Sequence, residues 1–189
     1  MNMNTFDFDD DNGPVPAHQH RRGGGWVADT AKVADTAYIG PDAKVFGYAQ
    51  VYDDARVINK AQVFGYAQLY DDARVFGYAQ VYDNANVFGY AKVYNDAKVF
   101  GYAKVFDDAR VFNNAKVSGD AWVFGHAQVF DDAKVFGYAK VYNDAWVYGY
   151  ARVYDDARVF GYAQVYANAK VFGHAQVYDN AKINSTTPV

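Results

Sequence analysis

From Val27 to Lys182 the apolar positions recur every six residues without insertion or deletion. The segment reads VADTAK, VADTAY, IGPDAK, VFGYAQ, VYDDAR and onward to VYDNAK, which is 26 hexads in one register. Position 1 is Val in all hexads except those carrying Ile39 and Leu69, and position 5 is Ala in every one. Ala at position 5 and Val at position 1 of the next hexad are separated by a single residue, the period-2 alternation of a strand; no helical period fits. Position 3 is Gly, Asp or Asn except at Pro41 and Ala167, and these are the residue types that accept left-handed or bridge backbone conformations. Each hexad is therefore a short strand followed by a corner. Strands this short bury nothing alone, so successive turns of chain must stack as parallel strands about 4.8 Å apart. The pattern predicts an all-β fold, a single parallel β-solenoid.

Two coil geometries compete for that pattern. Hexads of FGYA type alternate with YDDA type, which suggests a flat twelve-residue coil with two faces. Such a coil stacks Asp pairs on Asp pairs, and like-charge repulsion opposes it unless a cation bridges them. The alternation also slips at Val57 to Gln62 and between Val105 and Trp122, which exchanges the faces of a twelve-residue coil. A triangular coil of three hexads, 18 residues, tolerates both slips and interleaves the two hexad types along each face. The triangular coil is the expected form, with nearly nine coils and a length on the order of 40 Å.

An aliphatic residue followed four positions later by a small one, as in Val63 with Ala67 or Val99 with Ala103, resembles the hexapeptide-repeat family. The resemblance covers Val27 to Lys182 and implies a left-handed parallel β-helix with three hexads per coil. It implies little about function, because that family contains acyltransferases, carbonic anhydrases and proteins without known chemistry. The GGGWV entry into the hexads is also similar to phage and prophage hexapeptide-repeat proteins. The expected organisation is a flexible N-terminal arm at 1–24, an N-terminal cap and first coil at 25–44, a regular hexapeptide helix at 45–182 and a C-terminal tail at 183–189. Trp26 is expected to cover the first coil as a cap.

Composition sharpens the picture of the outside. Of the 189 residues 19% are aromatic, with 18 Tyr and 14 Phe against 2 Met, an excess that a Val and Ala interior cannot hold. Position 2 is aromatic in 21 of the 26 hexads, and strand alternation turns it outward with the Lys, Arg or Gln of position 6. Phe46, Tyr52, Phe64, Tyr70, Phe76 and Tyr82, with Trp122 and Trp146 at position 6, are the candidate interaction surface. Stacking of these rings on one another stiffens the rod; columns this long also exceed the apolar surface a monomer usually leaves bare.

Chemistry is sparse by comparison. The absence of Cys excludes disulfides, thiol nucleophiles and cysteine metal sites. The only histidines inside the repeat, His126 and His174, stand where Tyr is usual and fall on different faces of a triangular coil. As a catalytic base either would need a partner and a pocket, and Ser118 has no His in its hexad. His18 and His20 lack a third fixed ligand, and the Asp pairs such as Asp53 with Asp54 read as solvated corners rather than calcium ligands. No catalytic residue, cofactor or metal site is expected. A net charge of −4 argues against nucleic acid, although Arg56, Arg74, Lys92 and Arg110 share one face at 18-residue spacing. No run is apolar enough to span a membrane, and MNMNTFDFDDDN lacks the features of a signal peptide, so cytoplasmic synthesis is expected, with incorporation into a virion or extracellular assembly as one destination. The expected role is a non-catalytic structural rod that self-associates or docks in a larger assembly through aromatic faces and uncapped ends. A glycan-binding module using exposed Tyr and Trp is the alternative, and a hexapeptide-type acyltransferase the least favoured.

Overall fold

The computed structural model describes residues 4–185. Among them the chain forms 29 strands arranged in three sheets, one of eleven strands and two of nine. The strands β1 (Thr5–Phe6), β2 (Val15–Gln19) and β3 (Trp26–Ala28) begin the first sheet, and β4 (Lys32–Val33) and β5 (Tyr38–Ile39) begin the other two. From there on, each strand is the two-residue pair of position 6 and the following position 1, as far as β29 (Lys182–Ile183). From β3 on, the position 6 and position 1 residues of each coil pair in parallel with those 18 residues further on, as in Val63 with Val81 and Arg74 with Lys92. The triangular coil is therefore the form adopted, and three faces run the length of the rod. We number them one, two and three after β3, β4 and β5.

The interior is as thin as the repeat requires. From Ala37 to Ala169 the position 1 and position 5 side chains are fully buried in one continuous core. Backbone groups on either side of them are satisfied between coils: the Lys104 N–H donates to the Ala121 carbonyl at 2.9 Å, and the Phe106 N–H to Val123 at 3.0 Å. No single strand holds together by itself; the ladder and the core form together as coils stack.

The corners explain position 3. From Gly47 to Asp179 each position 3 residue has positive φ, for example 75° at Gly77 and 57° at Asp107. A Cβ at Gly77 would lie 2.8 Å from the Asn95 nitrogen in the next coil, so this corner favours glycine for space as well as for angle. From Asp53 to Asp155, each Asp in this place repays the left-handed backbone by bonding the coil below with its side chain. Gly89 N–H donates to Asp71 Oδ2 at 3.0 Å, and Gly173 N–H to Asp155 Oδ2 at 3.2 Å. Asn95, Asn113 and Asp131 form an amide and carboxylate ladder of the same kind, with contacts of 2.9 and 3.0 Å. The first member of each Asp pair is thus a staple between coils.

The N-terminal segment departs from the expected flexible arm. Residues 4–24 are folded: β1 and β2 make an antiparallel hairpin, and β2 pairs antiparallel with β3, so the first sheet continues beyond the first coil. Ala28 stands where later coils carry a ring, and Phe8 occupies that space, 2% exposed and stacked on Phe46 at 4.9 Å. The chain from His20 to Gly25 then crosses the end of the core, with Ile39 N–H donating to Arg22 O and Gly25 N–H to Ile39 O, both at 3.0 Å. A Cβ on Gly25 would sit 2.2 Å from the Gly40 carbonyl, which accounts for a glycine at that crossing. The N-terminal end is therefore capped, contrary to the expectation of bare ends. Trp26 is not the cap. Its place at position 6 turns it outward, where it stacks on Phe6 at 4.4 Å.

Candidate functional surface

Strand alternation puts positions 2 and 6 on the outside, but outside does not mean free. Parallel in-register stacking sets most position 2 rings directly against the ring 18 residues away. On face two the column runs unbroken from Tyr70 to Tyr178, and on face three from Phe76 to Tyr166. Centroid separations within the regular stretch stay near the strand spacing, 4.8 Å for Phe88 on Phe106 and 4.9 Å for Tyr94 on Phe112. Face one has a gap. Its columns Phe8 to Phe100 and Phe136 to Phe172 are separated at Ser118, which leaves one side of Phe100 and one side of Phe136 without a ring partner.

These columns correct part of the expected interaction surface. Phe46 is buried between Phe8 and Phe64 and offers nothing to a partner. Phe64, Tyr70, Phe76 and Tyr82 are half-buried within their stacks, and of the position 2 candidates only Tyr52 is exposed. Burial among the rings pushes the Tyr70, Tyr82 and Tyr94 hydroxyls above the ordinary tyrosine range. The widely exposed rings are instead the position 4 tyrosines at the corners, such as Tyr66, Tyr102 and Tyr138, at 59%, 61% and 63% exposure.

The two tryptophans of the regular rod stand in different company. Trp122 lies on face two between Lys104 and Lys140, and both ammonium groups sit over its indole, at 5.1 and 4.6 Å from the ring centroid. Its faces are occupied. Trp146 lies on face three between Gln128 and Gln164, 41% exposed, in a T-shaped contact with Phe130. Around it runs an open groove of about 520 Å³. Position 6 residues Arg110, Gln128, Trp146 and Gln164 form its floor, and position 4 residues Asp108, His126, Asp144 and Tyr162 its rim. A second, smaller groove lined by Asp72, Arg74, Tyr90 and Lys92 shares Asp108 and Arg110 with it and continues it along the rod.

The remaining candidates take structural places. His18 Nδ1 is 2.8 Å from Asp29 Oδ1, and His20 is buried beside the Arg22 backbone, so the two histidines serve the hairpin and not a shared ligand. His126 and His174 occupy different corners, the latter 3.8 Å from Asp156. Arg56, Arg74, Lys92 and Arg110 are consecutive rungs of face three, interleaved at the rim with Asp72 and Asp108. A longer run not apparent hexad by hexad, Lys98, Lys116, Lys134, Arg152 and Lys170, lies on face one and becomes visible when the chain is written in rows of 18. The same rows expose the lysines over Trp122.

Three stretches of the chain, residues 49–65, 67–79 and 151–167, match a family model described as the YdcK beta solenoid repeat. The chain is a repeat β-solenoid. No match was found among curated proteins. Among the described residues no helix is long and apolar enough to cross a membrane.

Proposed function

We propose that the protein is a non-catalytic rod that acts as a repetitive scaffold and meets a second copy of itself, or a larger assembly, through its sides. The observation that carries this reading is the division of aromatic labour. Rings at position 2 are consumed in stiffening columns, while Tyr66, Tyr102, Tyr138 and their counterparts on the other corners project without being needed for the core. Exposed tyrosines on a rigid frame give contact area at low entropic cost. The hairpin over the N-terminal coil shifts the expected contact away from that end and toward the flanks. Light scattering over a wide concentration range, with negative-stain imaging, tests it. The expected result is a mass that rises with concentration and falls back when Tyr66, Tyr102 and Tyr138 are replaced together by Ser. A strictly monomeric particle at all concentrations overturns the scaffold reading.

A further inference from the structure

We infer that the face-three groove around Trp146 is a binding site for a linear, neutral oligosaccharide, with the indole as its stacking platform. The contrast with Trp122 is the starting point: the same residue at the same hexad position is covered by two ammonium groups on face two and flanked by neutral amides on face three. A sugar ring presents a C–H face and a rim of hydroxyls. The C–H face suits an open indole, and the hydroxyls need donors and acceptors at its border. Asp108 and Asp144 supply carboxylate acceptors that, among the described residues, form no ion pair with a protein cation, and Gln128 and Gln164 supply both functions. The mixed charge around the indole selects no strong anion, in contrast to a phosphate or sulfate site, where cations converge without carboxylates.

The groove also has the geometry of a linear ligand. It runs along the rod and continues past Arg110 toward Tyr90, so its chemistry changes once per coil. One coil is about 4.8 Å tall, comparable to the advance of one sugar residue in an extended chain. The rigid frame holds these groups in place before binding, which lowers the ordering cost.

Titration calorimetry of the full chain with cellohexaose, maltohexaose and N-acetylchitohexaose tests the site. At least one of the three is expected to bind, Trp146→Ala to weaken it at least tenfold, and Trp122→Ala to change it less than twofold. Trp146→Lys, which installs the residue Lys92 already provides at this hexad position, should lose binding with an unaltered circular dichroism spectrum, which separates a lost platform from a lost fold. Absence of binding for all three sugars, or equal losses in Trp146→Ala and Trp122→Ala, overturns the inference.

Discussion

The first coil and the coils below it solve the same corner in two ways. In residues 27–44 the second turn residue is Asp29, Asp35 or Pro41, none with positive φ, and the closing bond is short: 2.9 Å from Ala31 to Ala28 and 2.9 Å from Ala43 to Gly40. In the regular coils φ is positive at that residue, the closing bond is typically 3.3 to 3.4 Å, and the next N–H is released to the coil below, as Tyr102 N–H to Gly119 O at 2.9 Å. The first coil lacks that backbone donor and uses a side chain in its place. Thr36 Oγ1 donates to the Asp53 carbonyl at 2.6 Å, and Thr30 Oγ1 to Gly47. Hence the only threonines of the repeat are confined to its start. The first coil also carries Ala28, Ala34 and Gly40 at position 2 where later coils carry mostly rings. An end coil has a neighbour on one side only, so it exchanges self-stacking for a surface on which the hairpin and its Phe8 can lie.

This difference is open to direct attack. Phe8→Ala removes the one ring that joins the hairpin to the column of face one, and a buried Phe lost to Ala is expected to cost about 3 kcal/mol. Denaturant unfolding followed by circular dichroism would show it; a loss below about 1 kcal/mol would mean that the hairpin is held by its strand pairing alone. Ser118→Phe acts in the opposite direction, inside the regular coils. Restoring the missing ring creates two stacked pairs and should stabilise the rod by about 1 to 3 kcal/mol; no rise in thermal midpoint would show that the columns do not contribute stability. The smallest effect is expected at Ala167, which carries φ of 53° without the side-chain oxygen that Asp and Asn use there. Ala167→Gly should gain about 1 kcal/mol, read in the same unfolding assay, whereas the same change at Asp107 should lose its bond to Gly125 and destabilise.

Much of the fold could be read from Val and Ala alone, since a two-residue strand with two inward apolar residues in every six has few ways to bury itself. The site was less legible. Phe8, Asp9 and His20 lie in a segment whose composition is that of a loop, and their roles depend on chain returning from elsewhere: Phe8 on Phe46, Asp9 on Lys44, and His20 under the crossing. Trp122 and Trp146 were equal candidates until neighbours 18 residues away were placed beside them. A residue type names a capability; its lateral neighbours decide whether that capability is spent internally.

By itself, the sequence determined the strand period, the thin interior and the outward direction of the rings, because side-chain alternation and an unbroken register leave those choices no freedom; the slips in hexad alternation favoured an 18-residue coil over a twelve-residue one, and the pairing across coils settled it. Only the tertiary structure decided which outward groups remain available. It packed Phe46 away, covered Trp122 with lysines, left Trp146 open in a polar groove and capped the N-terminal end, because each of those outcomes depends on contacts across coils or from the hairpin rather than on anything within a hexad.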